Sequence, residues 1–297
     1  MSTIKETYEF FTSKLQPIYD VREAHSITRI VFEDEFSIYA LNAQRPFLEK
    51  HKSRLKEILE RLLKHEPVQY ILGEADFYGH KFKVDSNVLI PRQETEELVY
   101  WVKDTIQQDI YKNENDIFNL KKNPQNLKVL DIGTGSGCIP ISLKKIFPEI
   151  EITGMDISDG ALEIAKQNAI TLEAEVSFEK NDILNSVDKE YYYDLHIIIS
   201  NPPYIPFEES KLMPKHVLEH EPELALFVEN DDALIFYKEI AQFASTHLQE
   251  NGFLFFEINE FNSSDVVQYL EELNFSNITL KNDINGRPRM IRAQHIT

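Results

Sequence analysis

The chain has 297 residues, of which 42% are hydrophobic, a single cysteine, and a formal net charge of −19. That length exceeds the usual single-domain size and predicts two domains, each able to bury a core. Cys138 alone cannot form an internal disulfide and fits a reducing compartment. With no apolar run of about eighteen residues and no basic-then-apolar opening, neither a membrane span nor a secretory signal is expected, and a cytoplasmic location is.

The charge is unevenly spread. Residues 1–72 hold 11 basic and 11 acidic side chains, so the whole excess, 39 acidic against 20 basic, falls in residues 73–297. Binding a phosphate backbone relies on clustered Lys and Arg, so a stable nucleic-acid complex is not expected of this part.

The first seventy or so residues read as helices. Thr3–Leu15, Val21–Phe32 and Lys52–Leu63 space apolar residues at the helical period, as in Leu55, Ile58, Leu59, Leu62 and Leu63. Pro67-Val-Gln-Tyr-Ile-Leu-Gly73 leaves that pattern. Phe77–Val84 and Val88–Pro91 then alternate as two short strands around Asp85-Ser-Asn87, a connecting hairpin. A helix over Thr95–Gln107 follows, and the Asn- and Lys-rich stretch Tyr111–Asn126 reads as an exposed loop.

Beyond it, strands are expected at Leu127–Ile132, Glu151–Met155, Val176–Glu179, Leu195–Ser200, Gly252–Ile258, Asn277–Lys281 and Met290–Ala293. Helices fit between several of them, at Ser158–Ala169, Ala233–His247 and Ser264–Leu273. This alternation predicts an α/β fold with a doubly wound, mostly parallel, seven-stranded sheet. The expected organisation is a helical domain over residues 1–72, a hairpin connector over 73–92 and an α/β domain over 93–297.

Ligands of such sheets bind beyond the carboxyl ends of the strands. Gly133, Gly135 and Gly137 lie just past one such end, in Asp131-Ile-Gly-Thr-Gly-Ser-Gly137. Asp156 ends the next strand, where a carboxylate can accept both hydroxyls of a ribose. Asp182 follows the third, placed for an adenine amino group with Ile183 against the ring. A nicotinamide dinucleotide competes for this loop, but its G-x-G-x-x-G fingerprint is broken by Cys138, and G-x-G-x-G suits S-adenosylmethionine, which has no pyrophosphate.

A second signal is Asn201-Pro-Pro-Tyr204, directly after the apolar run Leu195–Ser200. Asn and Pro after a strand are also ordinary turn residues. In register with the glycine loop they suit a different task, the methylation of a planar nitrogen whose lone pair is delocalised. The Asn201 side-chain oxygen and the Pro202 carbonyl can accept its two N–H bonds, and Tyr204 can cover the planar group. His216-Val-Leu-Glu-His220 matches the H-x-x-E-H zinc-protease pattern, but Pro222 ends any helix there and no third ligand is apparent. Cys138 reads as a core residue opening a helix.

These motifs, with Pro67–Gly73, Phe77-Tyr-Gly79, Ile90-Pro-Arg-Gln-Glu-Thr-Glu96 and Glu221-Pro222, resemble the HemK/PrmC family of class I methyltransferases over nearly the whole chain. The resemblance implies methyl transfer from S-adenosylmethionine, leaving S-adenosylhomocysteine, to the side-chain nitrogen of the glutamine in the Gly-Gly-Gln motif of peptide chain release factors. It implies cofactor contacts at Asp131, Gly133, Thr134, Gly135, Ser136, Gly137, Asp156, Asp182, Ile183 and Asn201. Asn201, Pro202, Pro203 and Tyr204 would hold the glutamine, with Asn201, Pro202 and Tyr204 carrying catalysis by positioning, no metal taking part, and the helical domain docking the release factor. Many relatives have Pro where Gln93 stands. Asn-Pro-Pro-Tyr is shared with adenine-N6 DNA methyltransferases, and a sister family methylates a glutamine of a ribosomal protein; both remain alternatives.

Overall fold

The computed structural model describes residues 2–110, 127–185, 192–206, 215–228 and 232–296. The chain divides into two compact units, Met1–Glu74 with Met213–Glu221, and Ala75–Leu212 with Pro222–Thr297.

In the smaller unit, α1 (Ile4–Leu15), α2 (Val21–Ile30) and α3 (Lys52–Leu62) fall where the apolar spacing places them. Their starts are set by capping chemistry. Thr3 Oγ1 accepts the Glu6 N–H while the Glu6 carboxylate accepts the Thr3 N–H, and the Asp20 carboxylate accepts the N–H groups of Arg22 and Glu23. The core gathers Phe11, Leu15, Phe32, Ile58 and Leu62, with Phe32, Phe36 and Phe47 meeting edge-on or tilted. Each such buried side chain contributes roughly 1.5–3 kcal/mol of burial energy. Pro67–Gly73, expected to leave the helical pattern, contains one more turn of helix, α4 (Val68–Leu72). Pro67 stands at its N-cap with φ −57° and ψ 136°, and Gly73 closes it at φ 79°.

The larger unit begins at Ala75, within β1 (Glu74–Phe77), which is followed by β2 (His80–Lys83). This hairpin turns one step earlier than the expected Asp85-Ser-Asn87, at Tyr78-Gly79, where both residues take positive φ (49° and 78°), the geometry of a two-residue hairpin turn. Val88 and Ile90 are buried without forming a strand. After α5 (Gln93–Thr105), the expected loop Tyr111–Asn126 lies outside the described residues.

From there the alternation is as expected: β3 (Lys128–Ile132), α6 (Cys138–Ile146), β4 (Glu151–Asp156), α7 (Asp159–Thr171), β5 (Ser177–Lys180) and β6 (Leu195–Ser200). A two-residue strand β7 (Ile205–Pro206), the short helices α8 (Lys215–Leu218, in the smaller unit) and α9 (Glu223–Leu226), and β8 (Phe227–Val228), which pairs with β7, come next. α10 (Ile235–His247), β9 (Leu248–Glu257), α11 (Ser263–Glu272), β10 (Phe275–Asn282) and β11 (Pro288–His295) complete the chain.

Seven strands form one sheet in the order β10-β11-β9-β6-β3-β4-β5, in which β11 alone runs against the others. Both faces are covered, so the central strands carry apolar side chains on both faces. Val129, Ile197, Ile199 and Phe255 face one core and Leu130, Ile132, Ile198 and Phe256 the other. Trp101 of α5 meets Phe255 edge-on at 5.7 Å. β3 has β4 on one side and β6 on the other, so the strand order reverses beside β3. Side chains and loops at the carboxyl ends of β3, β4 and β6 therefore border a natural crevice. No helix among the described residues is long and apolar enough to cross a membrane.

Candidate functional site

That crevice is a cavity of about 800 Å³, within the usual size range of small-molecule sites. Its wall includes Gly133–Ser136, Asp156, Asp182, Ile183 and Asn201–Pro203, contributed by loops that start from four different strands. Two carboxylates, Asp156 and Asp182, stand on the wall, and no Lys, Arg or His does among the described residues.

The glycine loop is held by its own backbone. Gly133 and Thr134 donate their N–H groups to the Met155 carbonyl at 2.8 and 3.0 Å, which joins the end of β3 to the end of β4, and Gly137 donates to the Thr134 carbonyl at 2.9 Å. Gly133, Gly135 and Gly137 all have positive φ. A side chain at Gly133 or Gly135 would project into open space, whereas at Gly137 its Cβ would meet Ile141, Ala165 and Phe178 at 3.0–3.3 Å. Two of these glycines therefore face the cavity and the third sits against the packed start of α6.

Asp156 accepts the Gly135 N–H on Oδ2 and the Ser158 N–H on Oδ1, both at 2.9 Å. Each oxygen keeps a further lone pair for a ligand. Burial raises this carboxyl's pKa against those backbone hydrogen bonds. Asp182 closes a tight turn by accepting the Leu184 N–H and the Asn185 side-chain amide at 2.9 Å each, which presents Ile183 to the cavity.

Asp131 stands behind the wall and is fully buried. Burial pushes its carboxyl up to about 7; the Thr134 hydroxyl acts in the opposite direction, but neither Asp131 oxygen has a partner in hydrogen-bonding geometry among the described residues. The buried hydroxyls of Thr134 and Ser136 also lack a partner in hydrogen-bonding geometry among the described residues. A compound carrying positive charge matches the carboxylates on and behind this wall, and a pyrophosphate does not.

At the end of β6, the Ser200 hydroxyl donates to the Ile132 carbonyl at 2.7 Å, locking β6 to β3 where both reach the cavity. Asn201 follows, and its Nδ2 donates to Thr95 Oγ1 at 3.3 Å; Thr95 in turn donates to Glu257 Oε2 at 2.7 Å. Pro202 is buried and Pro203 half-buried on the wall. Tyr204 stands off the wall against the β6-side core, where burial pushes its phenol up to about 12.

Several residues of this region carry no sequence signal that points to their partners. Thr95 and Glu257 are separated from Asn201 and from each other by elements that only the sheet order brings together. The buried Asn168 of α7 accepts the Lys83 N–H at 2.7 Å and donates to the carbonyls of Lys83 and Ser136 at 3.0 and 2.9 Å, fastening the hairpin to the glycine loop. Thr95 and Glu96 were legible only as part of a family motif. The Cys138 thiol is pushed up to about 12 by burial, which suits a core residue. In the H-x-x-E-H segment the helix spans only Lys215–Leu218, His220 Nε2 lies 3.3 Å from the Lys64 carbonyl, and no group of metal-binding side chains is found among the described residues.

A model of the methyltransferase small domain matches residues 117–220 and one of the PrmC N-terminal domain matches residues 20–73. The release factor glutamine methyltransferase of Flavobacterium psychrophilum is 43% identical over 98% of both chains, and that of Bacteroides thetaiotaomicron 38% identical over 96% of this chain and 97% of its own. Among solved structures, the hMettl16 catalytic domain is similar at TM-score 0.54 and 15% identity, covering 72% of this chain and 74% of its own. A methyltransferase from Pyrococcus furiosus reaches 0.50 at 13% identity, covering 82% and 100%. These distant structures share the class I methyltransferase fold, and the near full-length relatives place the chain in the release factor glutamine methyltransferase family.

Proposed function

We propose that the protein transfers a methyl group from S-adenosylmethionine to the side-chain amide nitrogen of the glutamine in the Gly-Gly-Gln motif of peptide chain release factors. The observation that carries this reading is the meeting of Asn201-Pro202-Pro203 and the glycine loop on one cavity wall, in a chain whose near full-length relatives bear that name. When bound, S-adenosylmethionine supplies an electrophilic methyl group and leaves as S-adenosylhomocysteine.

The residues of the chain do the holding. Gly133–Ser136 leave room for the cofactor, Asp156 offers its remaining lone pairs to the ribose, and Asp182 with Ile183 borders the adenine. Thr134 and Ser136 supply polar groups on the wall, and the Asp131 carboxyl lies buried behind them. The Asn201 side-chain oxygen and the Pro202 carbonyl accept the two N–H bonds of the target amide, holding its nitrogen toward the methyl group. The amide proton leaves after the new C–N bond has made the nitrogen cationic, so no side chain has to act as a base beforehand. Tyr204 packs against the core and does not line the cavity wall.

The test offers labelled S-adenosylmethionine with purified release factor, the same factor with its motif Gln changed, ribosomes, and duplex DNA. Label entering only the intact factor supports the reading. Label in a ribosomal protein or in DNA reassigns the substrate.

A further inference from the structure

A carboxamide has a donor end and an acceptor end of nearly the same shape, so the protein must decide which one faces the cavity. Asn201 can accept an N–H bond of a substrate only with its Oδ1 free. Its Nδ2 is committed to Thr95 Oγ1, and the single proton of the Thr95 hydroxyl is committed to Glu257 Oε2. A hydroxyl that has given its proton to a carboxylate can offer Asn201 only lone pairs. The donors therefore run in one direction, from Asn201 to Thr95 to Glu257, and the series ends on a group that accepts only. Asn201 follows β6, Thr95 lies in the first turn of α5, and Glu257 ends β9. Thr95 and Glu257 are both buried, with Thr95 and Asn201 bordering the cavity.

We propose that Thr95 and Glu257 are positioning residues: the ionised Glu257 fixes the proton of Thr95, and Thr95 fixes the Asn201 amide with its carbonyl oxygen toward the substrate. The proposal rests on the role given above to Asn201. Protonating Glu257 undoes the order, because a carboxylic acid can donate to Thr95 and release the Thr95 proton to the Asn201 oxygen. The amide then turns its NH₂ group to the cavity, donor against donor.

The surroundings put this change within the working pH range. Burial pushes Glu257 up to about 7, against the Thr95 hydrogen bond. Arg289 on β11 and Arg92 before α5 favour its ionised form, and Glu94 opposes it. The other titratable groups that sense it, Tyr204, Tyr237 on α10 and Cys138 on α6, are all raised by burial and stay neutral there.

The experiment compares wild type, Thr95→Ser, Thr95→Val and Glu257→Gln in single-turnover methyl transfer to release factor across roughly pH 6 to 9, with S-adenosylhomocysteine affinity measured on the same preparations. Wild-type transfer is established first, so its absence would count against the functional reading and not the positioning role. With wild type active, its rate rises with pH through a midpoint near 7, by analogy with the Glu257 value. Thr95→Val is slower by about tenfold or more, Thr95→Ser stays within about threefold of wild type, and the isosteric Glu257→Gln is slow and loses the pH limb. Cofactor affinity changes by less than about twofold in all three. Wild-type rates in Thr95→Val, no rescue in Thr95→Ser, or a persistent limb in Glu257→Gln would overturn the proposal.

Discussion

The backbone N–H of Gly135 donates to the Asp156 carboxylate at 2.9 Å, so the loop after β3 and the end of β4 are one mechanical unit. Asp156 thus both shapes the loop and presents lone pairs to the cavity, and removing it costs on both counts. Asp156→Ala is expected to weaken S-adenosylhomocysteine binding by about tenfold or more, from the loss of charge-assisted hydrogen bonds. The sheet is unaffected, so calorimetric affinity falls while far-ultraviolet circular dichroism does not change.

Burial raises the carboxyls of Asp131 and Glu257 to about 7, well above their ordinary range. Between the unfolded and folded values the native state holds more protons than the unfolded chain, so stability is greatest at low pH and declines as pH rises through about 7. The cofactor-free protein should lose roughly 1–3 kcal/mol of unfolding free energy between pH 6 and pH 8 from these two groups. Asp131→Asn should remove about half of that slope. Urea titrations at the two pH values measure it.

The same unpaired carboxylate makes a prediction about the ligand. A positively charged cofactor favours the ionised form of Asp131, so binding S-adenosylmethionine near pH 7 should release a fraction of a proton, and its affinity should increase above that pH. S-adenosylhomocysteine, which lacks the sulfonium charge, should show a smaller effect. Calorimetry in buffers of different ionisation enthalpy separates the two; identical proton release would contradict the electrostatic role of Asp131.

Asn168 makes three hydrogen bonds from a fully buried position, two of them to the hairpin and one to the glycine loop. Asn168→Ala strands these backbone groups and is expected to destabilise the larger unit by roughly 2–4 kcal/mol. For a unit of this size that corresponds to a fall in melting temperature of about 4–16 °C. A change of less than about 1 °C would show that the hairpin is held by its apolar contacts alone.

Much of the fold was legible because the signals are local. The run Leu195–Ser200 is a strand at those bounds, since a strand buried on both faces carries successive apolar residues, here Ile197, Ile198 and Ile199. The glycine loop, Asp156, Asp182 and Asn201 lie where the strand pattern placed them, at or just past strand ends that border the cavity. The helix at Val68–Leu72 was missed because five residues are too few to display a period, and the hairpin was misplaced because Tyr78 takes a positive φ that its side chain does not advertise. Thr95, Asn168 and Glu257 were invisible as partners, because their meaning lies in contacts across 85 to 162 positions that exist only once the sheet is assembled. Asp131 and Tyr204 were legible as motif members, yet the structure sets both off the cavity wall.

The most direct measurement is the rate of methyl transfer to release factor in a single turnover by wild type and Asn201→Ala, with the modified residue located by mass spectrometry and cofactor affinity determined on the same samples. The account predicts one methyl group on the motif glutamine with wild type, transfer reduced by about a hundredfold or more in Asn201→Ala, and a folded variant that still binds cofactor. Unchanged turnover in Asn201→Ala would contradict it.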